Sequence, residues 1–194
     1  MDVILSTKGV DLQDCDVLVV GLLEDERPLK GSGGWVDWRL NGKLSRLLIQ
    51  KRLTAEWKET TLMPSQGRIT PRMILLLGLG KIEGYSYLRL RELSPDLLEI
   101  LKNLNASSIC LSFPHGEGYN VDSGKLAEVL VEGIADCFDP DRSPSDREWV
   151  NNLRLLFAER EELLPEILLG VQTAKSIFED RFRIRILAPS GEVK

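Results

Sequence analysis

Two short stretches carry residue types suited to holding an anion or moving a proton. Gly31-Ser32-Gly33-Gly34 follows an apolar run and leads into a helical pattern. Amides at such a helix start, with no side chains in the way, can hold an anion such as a phosphate. The competing reading is a tight turn that lets the helix begin close to its neighbours. The stretch has neither the dinucleotide fingerprint nor a Walker lysine with its hydroxyl neighbour. The second stretch, Pro114-His115-Gly116-Glu117-Gly118-Tyr119, follows another apolar run and holds the one histidine of the chain. With Glu117, His115 could do acid–base work; a lone loop histidine is more often a solvated surface residue. No nucleophile is paired with it in the sequence, so no catalytic residue is assigned. The candidate ligand-binding set is therefore Gly31, Ser32, Gly33, Gly34, His115, Gly116, Glu117 and Gly118.

Other side chains admit plainer explanations. Cys15, Cys110 and Cys137 are far apart and lack metal-ligand spacing, so no metal site is expected. Cys110 lies in an apolar run and Cys137 near a helix end, where each serves as a small buried hydrophobe. An odd count without a disulfide framework suits a reducing cytosol. Trp35 and Trp38 stand three apart on the first turn of a helix, which suits core packing or, for one of them, a contact surface. Tyr85 and Tyr87 read as a partner surface or as a loop packed on the sheet. For Asp37, a place at a helix start beside the dipole is explanation enough.

These residues need a frame, and the pattern supplies alternating strands and helices. Val3 to Ser6 reads as a short edge strand. Val17 to Leu23 is an almost unbroken apolar run, as expected of a strand covered on both faces. Trp35 to Leu53 reads as one helix with Val36, Leu40, Leu44, Leu47 and Leu48 in a stripe. Strands follow at Trp57 to Leu62 and Met73 to Leu79. Ser94-Pro95-Asp96 opens or restarts a helix, with Ser94 as its cap and Pro95 at its first position. Ser107 to Phe113 is a strand, Val121 to Phe138 an amphipathic helix, and Asp139 to Arg147 a loop. A strand at Leu153 to Ala158, a helix at Glu161 to Phe178 and a strand at Phe182 to Leu187 complete the pattern. Arg181, Arg183 and Arg185 alternate with Phe182, Ile184 and Ile186, as on a half-exposed strand. In open α/β sheets ligands sit outside the carboxyl ends of strands, so the two candidate loops could face one another.

The 194 residues suit a single domain spanning 1–194, long enough to bury a substantial core. Apolar residues make up 43% and charged residues 28%, an ordinary globular balance. A net charge of −5 argues against nonspecific nucleic-acid binding, which needs a basic surface. No apolar run approaches the ~18 residues of a membrane span, and no charged-then-apolar leader opens the chain. No nucleic-acid or membrane partner is expected, and the expected location is cytoplasmic.

The order of several pieces resembles the N-terminal domain of the leucyl aminopeptidase (M17) family over residues 1 to 140, and more loosely beyond. Val20-Gly21-Leu22-Leu23-Glu24 is similar to the family's opening strand end, and Leu40-Asn41-Gly42-Lys43-Leu44 to a variant of its L-G-G helix. Arg72 through Gly80 resembles the strand of the form R-x-x-x-L-x-G-x-G, and Ala127-Glu128 through Glu132-Gly133 to Phe138-Asp139 its next helix and F-D end. The resemblance implies a macro-domain-like fold: a three-layer α/β/α sandwich around a mixed central sheet. It also implies that Gly31 to Gly34 occupy the place of a macro domain's diphosphate loop. That domain's early acidic residue and asparagine pair, however, are absent.

The family's two-metal chemistry sits in a C-terminal domain, in motifs similar to K-G-x-x-F-D-S/T-G-G and N-T-D-A-E-G-R, and neither occurs here. Val121-Asp122-Ser123-Gly124-Lys125 looks like a fragment of the first, but Asp122 or Ser123 is better read as a helix cap. After Ala174 the sequence departs from the family's link into that domain. The resemblance thus implies a stand-alone, non-catalytic module with no cofactor. Its expected work is binding a protein partner, a second copy of itself or a separately encoded peptidase domain. The alternative is a pocket for ADP-ribose or another phosphorylated small molecule.

Overall fold

The computed structural model describes residues 1–137, 144–178, 184–189 and 191–193. Among the described residues eight strands form one sheet: β1 (Asp2–Ser6), β2 (Val17–Leu22), β3 (Thr60–Pro64), β4 (Met73–Gly78), β5 (Ser108–Ser112), β6 (Arg154–Ala158), β7 (Arg185–Ala188) and β8 (Gly191–Val193). Their spatial order is β3-β4-β2-β5-β6-β1-β7-β8. β4, β2, β5, β6, β1 and β7 run parallel, while β3 and β8 close the two edges antiparallel. The sheet is therefore mixed, as expected. β1 is not an edge strand: it lies between β6 and β7, and Met1, Val3 and Leu5 are buried.

Successive side chains of a strand face opposite sides of the sheet, and here both sides are apolar. Val17, Val19, Leu75, Leu77, Ile109, Leu111, Leu155 and Phe157 meet one core. Leu18, Val20, Leu22, Ile74, Leu76, Cys110 and Leu156 meet the other. The first core is covered by α3 (Tyr87–Asn103), α4 (Ser123–Asp136) and α6 (Leu164–Phe178). The second is covered by α1 (Gly31–Arg39) and α2 (Lys43–Ile49). α5 (Pro144–Asn151) begins inside the stretch expected to be a loop, Asp139 to Arg147, and runs past its end; residues 139–143 of that stretch are outside the described residues. Of the strand expected over Phe182 to Leu187, the described residues show β7 from Arg185, continuing to Ala188, and Arg181 to Arg183 lie outside the described residues.

Local chemistry explains where helices depart from their patterns. The single helix expected over Trp35 to Leu53 is two, broken at Asn41 and Gly42, whose φ angles are 57° and 71°. Asp37 does sit at a helix start, but at that of α2: it accepts from the Leu44 and Ser45 amides at 2.7 and 3.1 Å. Pro95 lies inside α3 rather than at its first turn, and the cap is Ser86. Leu90 and Leu93 before the proline and Leu97 and Leu98 after it are all buried, so tertiary contacts on both sides hold one continuous helix. Asp122 caps α4, accepting from the Lys125 amide at 2.7 Å.

Asp16 fastens the start of β5 from across the sheet. Its carboxylate accepts from the Ser107 and Ser108 amides, each at 2.9 Å, and from the Ser107 hydroxyl at 3.1 Å. Burial pushes the carboxyl up, but these donors and the charge of Arg72 outweigh it and hold the group below its ordinary range. A depressed carboxylate contributes stability above its unfolded pKa of about 3.9, and that stability is lost as pH falls through the folded value. Asp16→Ala should therefore cost about 1 kcal/mol at neutral pH, discounted for exposure. The gap to the parent protein should narrow below about pH 4, as urea unfolding across pH would show.

Cys15 and Cys110 are buried on the α1–α2 side of the sheet. Burial pushes the Cys15 thiol up to about 12 and raises Cys110 as well. Cys137 is only half-buried at the end of α4. Since the thiolate is the reactive form, Ellman's reagent at pH 8 should modify Cys137 on the native protein and all three thiols only after denaturation.

Candidate functional site

The carboxyl ends of β1, β2, β5 and β6 open into a cleft of about 590 Å³. Its walls come from four connections: Thr7 to Val10 after β1, Lys30 to Gly33 and Trp35 at the start of α1, Ser112 to His115 after β5, and Ala158 to Arg160 after β6. This is the edge at which an open parallel sheet offers a ligand backbone amides and loop side chains.

The α1 wall has the chemistry expected of an anion site. Gly31, Ser32 and Gly33 line the cleft, and Lys30 makes no side-chain hydrogen bond to the first turn. Gly34 does not line it: a Cβ there would stand 2.5 Å from the Leu29 carbonyl oxygen, so this glycine serves close packing. Gly31 has φ +50°, and a Cβ there would meet open space. Lys8, Lys30 and Arg160 add three exposed cations to the lining. Among the described residues none of the three is in an ion pair with a carboxylate.

The loop after β5 contributes less than its sequence promised and receives a partner from elsewhere. His115 lines the cleft, but Gly116, Glu117 and Gly118 do not and are exposed. The Gly116 amide donates to the Val121 carbonyl at 2.7 Å and the Tyr119 amide to Gly116 at 3.1 Å, so the turn folds on itself. Gly116 and Gly118 have φ of 88° and 93°, which the turn requires of glycine. The carboxylate beside His115 is Glu159, not Glu117: Nε2 and Oε1 are 2.7 Å apart, with the side chains 16% and 20% exposed. Glu159 itself is fixed by its amide, which donates to the Ser6 carbonyl at 2.9 Å. The signal for it was its place directly after Ala158, at the carboxyl end of a buried strand.

Two tyrosines order this loop. Tyr85 is buried and donates to the Pro114 carbonyl at 2.7 Å, while Tyr87 donates to the Asp122 carboxylate. Both are structural in these contacts. Tyr119 lines the cleft and donates to Glu26; burial first, then that carboxylate, pushes its phenol well above the usual range.

The two tryptophans are not core residues. Trp35 is 48% and Trp38 64% exposed, and their rings stack tilted at 31° with centroids 5.0 Å apart. Trp35 is held at the cleft rim by its Nε1, which donates at 2.9 Å to Asp11, a buried carboxylate also paired with Arg39 at 3.1 Å. Leu12, 55% exposed, follows Asp11. Among the described residues no group of three or more His, Cys, Asp or Glu is placed to hold a metal ion. Nor is any helix there long and apolar enough to cross a membrane.

The family model for the cytosol aminopeptidase family, N-terminal domain, matches residues 19–137. A probable cytosol aminopeptidase of Trichormus variabilis is 28% identical over 84% of this chain and 34% of its own length. One from Alkaliphilus metalliredigens is 25% identical over 61% of this chain and 23% of its own. The chain thus spans about a quarter to a third of these curated relatives.

Among solved structures, a tomato leucine aminopeptidase variant superposes with a TM-score of 0.65 at 17% identity, covering 92% of this chain and 37% of that one. The Oceanobacillus iheyensis macrodomain with ADP gives 0.65 at 14% identity, covering 91% of each chain. The fold is therefore macrodomain-like. The matched stretch runs from β2 to the end of α4 and includes the α1 and His115 walls of the cleft; by that match the chain belongs to the cytosol aminopeptidase family, through its N-terminal domain.

Proposed function

We propose that this chain is a non-catalytic M17 N-terminal module whose cleft holds a phosphate-bearing small molecule in the cytoplasm, with ADP-ribose and ADP the first candidates. The observation that carries the reading is the convergence of the uncapped Gly31–Gly33 turn with Lys8, Lys30 and Arg160 on one cleft. A helix start and three unpaired cations suit an anion, and about 590 Å³ lies within the range of small-ligand sites. The likeness to a macrodomain solved with ADP supports the choice of nucleotide. Titration calorimetry with ADP-ribose and with ADP tests it. Heat at one ligand per chain, together with a rise in melting temperature, is the expected result. No heat and no thermal shift with either would remove the proposal.

A second reading rests on the exposed Trp35 and Trp38. Aromatic residues are over-represented at the energetic centres of protein interfaces, and two stacked, exposed indoles suit a partner such as another copy or a separate peptidase domain. Sedimentation equilibrium over a wide concentration range, repeated with Trp38→Ala, tests the self-associating form. A monomer throughout would end it.

A further inference from the structure

A second anion site, away from the cleft, is the inference this fold carries furthest. A groove of about 420 Å³ lies between α2 and the turn joining β3 to β4. That turn connects the end of β3 to the start of β4, so it lies at the amino edge of the parallel strands, opposite the cleft. Apart from Leu40 and Leu47, every residue lining the groove is a cation or a primary amide: Lys43, Arg46, Arg68, Asn41, Gln50 and Gln66. The lining contains no carboxylate, in a chain whose net charge is −5.

The convergence has local causes. Lys43, Arg46 and Gln50 are spaced i, i+3 and i+7, which puts them on one helical face. Asn41-Gly42 and Gln66-Gly67 bend the chain on either side of the groove. All four residues are in the left-handed region, with φ of 57°, 71°, 57° and 72°. Two chain reversals of the same kind therefore bring an amide and at least one cation each to the groove. Elsewhere on the surface the cations Lys58, Arg91, Lys125 and Arg185 are matched to carboxylates. Among the described residues Lys43, Arg46 and Arg68 take part in no ion pair. Over residues 40–72 seven Lys and Arg stand against two Glu, and Glu59 is occupied by the Thr54 and Ala55 amides and the Thr54 hydroxyl.

We propose that this groove binds a small oligophosphate, either a free phosphate chain or the phosphate tail of a nucleotide. Arg46 and Arg68 present planar forks suited to two oxygens each, Lys43 adds a point charge, and the three amides donate to bridging oxygens or to a base edge. A single phosphate would leave part of this donor set unused, so a chain of phosphates is the better match.

The test is calorimetric titration of the full chain with inorganic tripolyphosphate and with ATP. Measurements on R46Q/R68Q and on K8E/R160E, which alters only the cleft, run beside it. Tripolyphosphate should bind at the groove with at least about tenfold weaker affinity in R46Q/R68Q and unchanged groove affinity in K8E/R160E. Equal binding of ATP assigns the site to phosphates alone, and tighter ATP binding assigns the amides to the base; both uphold it. A melting temperature of R46Q/R68Q equal to the parent's shows that the loss is not unfolding. Absence of tripolyphosphate binding, or binding that survives R46Q/R68Q and disappears in K8E/R160E, overturns the proposal and leaves the cleft reading standing on its own.

Discussion

Gly170→Val is expected to destabilise the domain by about 3 kcal/mol or more, as an overpacked site does. In a chain of this size that lowers the melting temperature by roughly 6–12 °C. α4 and α6 touch through glycines: a Cβ on Gly170 would stand 2.0 Å from the Gly124 carbonyl oxygen, and one on Gly124 would stand 2.6 Å from the Glu166 carbonyl oxygen. These are backbone atoms of two packed helices, so no side-chain rotation relieves the clash; the helices must separate. Separation exposes Leu126, Leu130, Ile167 and Val171, all buried in the core on that side of the sheet. Gly67→Ala is the comparison. It has φ +72° and nothing within 4 Å of its Cβ, so only the backbone preference is lost, about 1 kcal/mol. Calorimetric melting of both variants separates the two causes. Equal shifts would show that the helix contact is not what Gly170 protects.

Strands whose two faces are both buried were legible from the chain, because an unbroken apolar run has few other homes: β2 and β4 lie where their runs are. β1 was visible as a strand but not as an interior one, since its depth in the sheet depends on β6 and β7 arriving from more than 140 residues away. Helix ends were harder. Asn41-Gly42 is a chain break that the continuous leucine stripe hid, and Pro95 invited a helix start that Leu90 and Leu93 overrule by burying the preceding turn.

The cleft was half legible. Gly31 to Gly33 and His115 were found because strand-following loops with glycine or histidine stand out. Glu159 and Arg160 follow β6, which pairs with β5, and Lys8 follows β1, which pairs with β6; only the sheet order, which a single sequence does not display, brings them to the cleft. The tryptophans mislead for a physical reason: indole is apolar enough to read as core. The buried carboxylate of Asp11 nevertheless holds the half-exposed Trp35 at the cleft rim, and Trp38 stacks on Trp35.

The double reversal K8E/R160E is the other large effect, and it acts on binding rather than folding. Both residues line the cleft, both are exposed, and neither has a carboxylate partner among the described residues. Changing them therefore breaks no ion pair, and the melting temperature should stay within about 2 °C of the parent, as for surface substitutions generally. Each lost charge-assisted contact to a phosphate is worth about 1.5–3 kcal/mol, and each new carboxylate adds repulsion. Affinity for ADP-ribose should fall by roughly 100-fold or more.

Ionic strength supplies the control within the same titration. Added salt should weaken binding to the parent cleft, because screening shortens the reach of exposed charges. In the variant the remaining dependence should reverse sign, since salt then screens repulsion between Glu159, the introduced carboxylates and the ligand. An affinity unchanged by the double reversal would mean that the amides of Gly31 to Gly33 do not deliver the phosphate to these side chains, and the ligand would have to be sought at another face.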